Sequence, residues 1–237
     1  MKIEVYETYN SVKEADIRDK LAVVIDVLRA TSTIVTSLNN GCREVIPVSD
    51  IEEAVDISKN YDREECLLTG ERNSLKIEGF DLSNSPAEFT RQVVKGKSVI
   101  ITTTNGTNAI RQAGSAKDAV IGSLLNAQAV SDYIISKGED VAFICAGTEG
   151  KFSLDDVLGA GAIIDRLDRE GIELELDDLA VVAKFLYAKH RDNLEDIMQK
   201  ARHFNSLKAT KYYEDVDYCI KEDIISIVPE YKDGVLK

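Results

Sequence analysis

Positive charge is scarce in this chain: 29 lysines and arginines stand against 42 aspartates and glutamates, a net charge of −13. So acidic a surface repels phosphate backbones, which excludes general nucleic-acid binding. A small anionic ligand stays open, provided that local cations or a metal ion offset the field. Long apolar runs are missing as well. No stretch approaches the roughly 18 consecutive apolar residues that a membrane span needs, and the opening Met1-Lys2-Ile3-Glu4-Val5-Tyr6 has no signal-peptide core. No membrane partner is expected. The four cysteines, Cys42, Cys66, Cys145 and Cys219, lie far apart and make no C-x-x-C pair. That speaks against zinc and dithiol redox chemistry and reads them as small buried apolar side chains. Cys145 sits in an apolar strand with no histidine nearby in sequence, which argues against a nucleophile. A reduced, cytoplasmic protein follows, with a homo-oligomer left open. Only two histidines occur, His190 and His203. Both fall in mixed-charge helical stretches and read as surface or structural residues. Neither G-x-x-x-x-G-K-[ST] nor G-x-G-x-x-G is present, which removes the common nucleotide fingerprints.

What is there is an alternation. Apolar, β-branched runs lie at about 22–27, 45–48, 66–69, 98–102, 119–122 and 141–145, with further strands expected at 3–6 and 224–228. Helical patterns fall between most of them. Ser49-Asp50-Ile51-Glu52 and Ser85-Pro86-Ala87-Glu88 read as helix-opening capping boxes. Gly41, Gly96, Gly114, Gly138 and Gly171 stand where helices should stop. With 44% apolar residues to build a core, this predicts one α/β unit over 1–237. Its expected architecture is three-layer α/β/α, with a mostly parallel or mixed sheet. A spacing echo between Thr31–Gly41 and Thr104–Gly114 suggests a duplication of βαβ units, with pseudo-repeat halves 20–95 and 96–171. A helical part, 172–237, follows, with helices expected at 177–192 and 194–207.

The chemistry concentrates where strands end. Val23-Val24-Ile25-Asp26 is a buried strand that ends in an acid, and Arg29, Thr31, Ser32 and Thr33 open the next helix. Open α/β sheets place ligands at strand carboxyl ends, and a helix N-terminus favours an anion. An acid able to hold a cation beside a phosphate cradle points to metal-assisted phosphate chemistry. Thr102 to Thr107 repeats the logic, with Thr104, Asn105, Gly106 and Thr107 as oxyanion donors. So does Gly147-Thr148, ahead of a helix that Ser153 caps and whose first turn holds Asp155 and Asp156. Gly159 and Gly161 inside that helix imply close packing on a neighbour. The long connection from Gly70 to Asn84 adds Glu71, Arg72, Lys76 and Asp81. In a parallel sheet all of these share one edge. Glu71 and Thr31 join Asp26, Arg29 and Arg72 as candidate catalytic groups. Ser32, Thr33, Thr104, Asn105, Gly106, Thr107, Gly147 and Thr148 are candidate substrate contacts. Asp26, Glu71, Asp81 and Asp156 are the candidate metal ligands. Haloacid-dehalogenase chemistry is not indicated, because position 28 is Leu where a second acid is needed.

These segments together resemble the 2-phosphosulfolactate phosphatase family of coenzyme M biosynthesis. The likeness rests on Val-Ile-Asp-Val-Leu-Arg-Ala-Thr-Ser-Thr at 24–33, Leu-Thr-Gly-Glu-Arg at 68–72 and Gly-Phe-Asp-Leu-Ser-Asn-Ser-Pro at 79–86. It continues through Thr-Thr-Asn-Gly-Thr at 103–107, Cys-Ala-Gly-Thr at 145–148 and Phe-Ser-Leu-Asp-Asp at 152–156. The resemblance implies a Mg²⁺-dependent hydrolase that releases phosphate from (R)-2-phospho-3-sulfolactate. Such a substrate carries phosphate, carboxylate and sulfonate, so a cation-rich pocket with Arg or Lys forks is expected. A phosphatase for another phosphorylated hydroxy acid, or a non-catalytic binder of such acids, would share most of these features. Carboxylates grouped with the hydroxyls favour the enzyme over the binder.

Overall fold

Strand alternation decides where each layer goes. In β2 (Leu21–Ile25), Leu21, Val23 and Ile25 enter one core cluster while Ala22 and Val24 enter another. β8 (Val141–Cys145) divides the same way, with Val141, Phe143 and Cys145 on one side and Ala142 and Ile144 on the other. Both strands are buried on both faces, as parallel strands between helical layers are. The computed structural model describes all 237 residues and contains two sheets. In the first, β7 (Asp118–Gly122), β2, β8, β1 (Lys2–Tyr6) and β9 (Glu175–Leu176) lie in that order, all parallel. The second runs β10 (Tyr231–Lys232), β11 (Val235–Leu236), β3 (Glu44–Pro47), β6 (Ser98–Thr102), β4 (Cys66–Arg72), β5 (Leu75–Lys76). Its β3, β6 and β4 are parallel, and antiparallel β-hairpins flank them.

Helices α2 (Ala30–Asn39) and α5 (Gly106–Ala113) fill the space between the sheets, where Ile34, Val35, Ala109 and Ile110 meet Val24, Val45 and Ile101. On the far side of the first sheet pack α6 (Ala127–Lys137), α7 (Leu154–Arg169) and α8 (Asp178–His190). Beyond the second sheet lies α3 (Ile51–Ser58), with Ala54 against Ile46 and Ile100. The layers therefore alternate in the α/β/α manner, and the central helices serve both sheets. Short helices α1 (Glu14–Ile17), α4 (Arg91–Val94), α9 (Leu194–Met198), α10 (Arg202–Lys208) and α11 (Asp215–Cys219) complete the chain. No helix is long and apolar enough to cross a membrane.

The chain changes sheets through the central helices. β2–α2–β3 passes from the first sheet to the second, and β6–α5–β7 passes back. The segments 20–95 and 96–171 thus each contribute strands to both sheets. The paired glycines of α7 have a packing cause. A Cβ at Gly159 would come within 2.7 Å of Val27 Cγ2, and one at Gly161 would overlap the Ala183 carbonyl of α8.

Four expectations need correction. Residues 224–228 form no strand; Ile225 N–H donates to Leu125 O at 2.9 Å, and the pairing partners of the second sheet come later, at β10 and β11. The Ser85-Pro86 start yields one 3-10 turn, Pro86–Glu88, and Glu88 instead accepts from Ser83 N–H at 2.6 Å. The helix expected at 194–207 breaks into α9 and α10. The 70–84 connection is no simple loop: β4 runs on to Arg72 and turns through Asn73 and Ser74, both at positive φ, into β5.

Candidate active site

The carboxyl ends of both sheets open onto one cleft of about 200 Å³. From the first sheet come Asp26, Leu28 and Arg29 after β2, and Thr148 and Glu149 after β8. The second supplies Glu71, Asn73 and Ser74 around the β4–β5 turn, Thr103, Thr104 and Asn105 after β6, and Asn84. His203 and Ser206 of α10 close it from a third side.

Asp26 lies where the two central helices begin. Its Oδ1 accepts from Ala30 N–H at 3.0 Å, and its backbone holds Thr31 through the Thr31 hydroxyl (2.8 Å to Asp26 O) and amide (3.0 Å). Oδ2 receives no hydrogen bond and faces Gly106, the first residue of α5. A Cβ at 106 would collide with that oxygen and with Ala30 Cβ. Only glycine lets α5 start this close to α2. Burial pushes the Asp26 carboxyl up to about 6. His203 and the Ala30 amide pull it back, while the charges of Asp155 and Glu71 push the same way as burial.

Two further acids act as clips. Glu71 Oε1 accepts from Thr104 N–H (2.7 Å) and Thr104 Oγ1 (2.9 Å), and Oε2 accepts from Ser74 N–H (2.8 Å). It therefore ties the ends of β4 and β6 together. Asp156 does this for the other sheet, accepting from Val27 N–H at 3.1 Å and Gly147 N–H at 2.9 Å. Burial, with Asp155 and Asp26 beside it, holds the Asp156 carboxyl well above the usual range.

Arg29 is almost wholly enclosed. It donates to Asp215 Oδ2 at 2.7 Å and Ser74 O at 3.2 Å, and stacks over the Tyr212 ring at 4.8 Å. Ser85 Oγ donates to the other Asp215 oxygen at 2.6 Å. Asp215 thereby holds the guanidinium at the cleft wall.

The structure brings Asp26, Arg29, Glu71, Thr104, Asn105 and Thr148 to the cleft lining, with Gly106 directly against Asp26. It does not bring Arg72, Asp81 or Asp156 there. Arg72 donates to Glu71 O at 2.7 Å and Thr102 Oγ1 at 2.9 Å, so its guanidinium is spent on the strand ends. Asp81 accepts from Leu68 N–H at 2.9 Å and pairs with Arg63, and Lys76 lies near the Asp81 carbonyl. The hydroxyls of Ser32 and Thr33 are turned inward, onto Val27 O at 2.8 Å and Asn84 O at 3.0 Å. Thr107 exchanges hydrogen bonds with Thr103, and Gly147 gives its amide to Asp156. The pocket is not rich in cations either: Arg29 is its one Arg or Lys. Cys145 is buried, and burial raises its thiol far above the ordinary range, which removes it as a nucleophile. From the sequence, His203 reads as a helix-surface or structural residue and Asp155 as part of a helix's first turn, while Ser206 and Asp215 are passed over. His203 meets Asp155, and Asp215 meets Arg29 and Ser85, across long chain separations that no local spacing signals.

No three carboxylate, imidazole or thiol groups gather into a preformed metal cage. Mg²⁺ does not require one, because it keeps several waters and commonly takes one or two carboxylates plus phosphate oxygens. Asp26 Oδ2, free of hydrogen bonds, and Glu71 Oε2, with one lone pair to spare, could hold such an ion in a net-negative lining.

The profile of the 2-phosphosulpholactate phosphatase family matches residues 6–234. This chain belongs to that family. A protein of Caldanaerobacter subterraneus subsp. tengcongensis named probable 2-phosphosulfolactate phosphatase is 51% identical over 237 residues, covering 100% of this chain and 98% of its own. One of the same name from Clostridium tetani is 49% identical over 100% of both chains. A third, from Clostridium acetobutylicum, is 45% identical over 99% of both. The family's profile takes in every element that lines the cleft, from β2 to α10.

Proposed function

We propose that this chain is a Mg²⁺-dependent phosphatase that hydrolyses the monoester of (R)-2-phospho-3-sulfolactate to 3-sulfolactate and phosphate. The observation that carries the reading is Asp26: a buried carboxylate with one oxygen unpaired, set between two helix starts in an acid-lined cleft. Membership of the family supports the choice of substrate. Asp26 and Glu71 are the residues that would hold the ion. When bound, Mg²⁺ neutralises phosphate charge and lowers the pKa of an attacking water.

The chain's own groups then position the substrate. The Asn105 amide donates to no group of the chain and stands at the N-terminus of α5, ready for a phosphoryl oxygen. Arg29, held by Asp215 and the Ser74 carbonyl, sets its positive charge in the cleft wall for a carboxylate or sulfonate. The remaining oxyanions meet neutral donors from Asn73, Ser74, Asn84, Thr148 and Ser206. This division explains how a pocket with one arginine can take a substrate with three anionic groups: the ion carries the charge and the neutral donors carry the shape.

The test is phosphate release from phosphosulfolactate, phospholactate and phosphoglycerate, with Mg²⁺ and with EDTA. Release from phosphosulfolactate well above the others, abolished by EDTA, is expected. Equal rates on all three would replace the named substrate with a broader class of phosphorylated hydroxy acids. No release from any of them would refute the enzyme reading.

A further inference from the structure

The reaction proposed above leaves an alkoxide, a strong base, and the mechanism so far gives it no proton. Five titratable side chains line the cleft: Asp26, Arg29, Glu71, Glu149 and His203. Three are acids, and Arg29 is committed to Asp215. Asp26 and Glu71 are the residues that would hold the ion and Glu149 is exposed, which leaves the His203 imidazole as the proton donor. It reaches the cleft from α10, an element separate from those that cradle the phosphate.

A second observation concerns Asp155, in the first turn of α7. It is fully buried. Its Oδ1 accepts from Ser153 Oγ at 2.6 Å, but its Oδ2 has no hydrogen-bond partner. The basic group facing that oxygen is His203, whose Nδ1 lies 4.0 Å away. A buried carboxylate oxygen without a partner is costly unless a cation stands against it. With Nδ1 turned toward Asp155, Nε2 is left for the cleft. The α7 helix that carries Asp155 is seated on β2 through Gly159 and on α8 through Gly161, so the carboxylate is a fixed reference for the imidazole.

We propose that His203, oriented by Asp155, is the general acid that protonates the ester oxygen of the leaving alcohol. The inference rests on the phosphatase reading. As the bond from water oxygen to phosphorus forms, the ester P–O bond breaks and its electron pair passes to the alcohol oxygen. That oxygen takes the proton from His203 Nε2. One of the water's two protons returns to the imidazole through solvent, so that a phosphomonoester dianion and water give the alcohol and HPO₄²⁻. His203 is a catalytic residue in this scheme, and Asp155 is a positioning residue.

Leaving-group basicity provides the test. His203→Gln, His203→Asn and Asp155→Asn are compared with wild type, as full chains with Mg²⁺, on phosphosulfolactate and on p-nitrophenyl phosphate. The aryl leaving group departs as a weak base and needs no proton. Both His203 variants are expected to lose on the order of a hundredfold or more in kcat on the alkyl ester. On the aryl ester they should lose less than about fivefold, with KM little changed on either. Asp155→Asn should show the same asymmetry at smaller amplitude, about tenfold on the alkyl ester, because the imidazole remains but loses its orienting charge. His203→Gln and His203→Asn remove the group that faces the buried Asp155 Oδ2, so both should melt a few degrees below wild type, and turnover is read per folded molecule. Equal losses on both esters, or none on the alkyl ester, overturn the assignment. A wild type that releases phosphate from neither ester overturns the phosphatase reading, and this inference with it.

Discussion

Replacing Asp26 with asparagine should stabilise the protein, and the gain should depend on pH. Folding lifts the Asp26 carboxyl from an ordinary 3.8 to about 6, chiefly through burial. A carboxyl raised on folding contributes stability below its unfolded pKa and loses it as pH rises through its folded pKa. The wild type should therefore be least burdened by Asp26 below pH 4 and most burdened above pH 7. The shift corresponds to about 3 kcal/mol at roughly 1.4 kcal/mol per pH unit. Asparagine keeps an Oδ1 to accept from Ala30 N–H and cannot ionise, so it escapes that cost. In a chain of this size, about 3 kcal/mol moves the melting temperature by roughly 6–12 °C. The assay is thermal unfolding of both proteins in EDTA from pH 4 to pH 8, each pair compared at the same pH. The gap should open between pH 4 and pH 7 while phosphate release is lost. A gap of constant size, or an asparagine variant less stable at pH 8, would refute the reasoning. On the proposed metal-holding role of Asp26, added Mg²⁺ should narrow the gap, since an amide would replace the carboxylate in the variant.

Asp215→Ala should cost about 3–5 kcal/mol in urea unfolding, because it leaves the enclosed Arg29 guanidinium without its counter-charge; the double variant with Arg29→Met should recover much of that loss. Gly106→Ala should reduce phosphate release at least tenfold, since the new methyl displaces Asp26 Oδ2 and Ala30; unchanged turnover would show that the two helix starts tolerate separation. Arg72→Ala should lower stability by about 1–2 kcal/mol through its lost bonds to Glu71 O and Thr102 Oγ1. Its activity per folded molecule should be largely retained, and a hundredfold loss of kcat/KM without a stability change would return Arg72 to the site.

The buried strands and the two helix starts were readable from the chain because each carries its own signal. Val23-Val24-Ile25 and Ile100-Ile101 are double-faced apolar runs, and the residues that follow them must turn into helices. What lay beyond reading were pairings between distant residues. Ile224-Ile225-Ser226-Ile227-Val228 has strand composition, yet a strand also needs a partner's backbone, and this segment finds one backbone partner, Leu125, and one side chain, Asn126. Asp81 and Asp156 look like Asp26 in sequence, but Arg63 and two backbone amides claim them. Asn73 and Ser74 at positive φ fold a supposed loop into a hairpin, a geometry that Asn signals weakly and Ser hardly at all. His203 and Asp155 sit on separate helices, so nothing local announces that they face each other.

The two helices that carry the chain between sheets also set how the molecule can be taken apart. Residues 20–95 contain one strand of the first sheet and three of the second, and residues 96–171 contain two of the first and one of the second. Neither stretch holds a complete sheet, and the cleft takes a wall from each. A fragment cut between them would expose two half-built edges, so the halves should be inert apart and recover a cleft only when recombined.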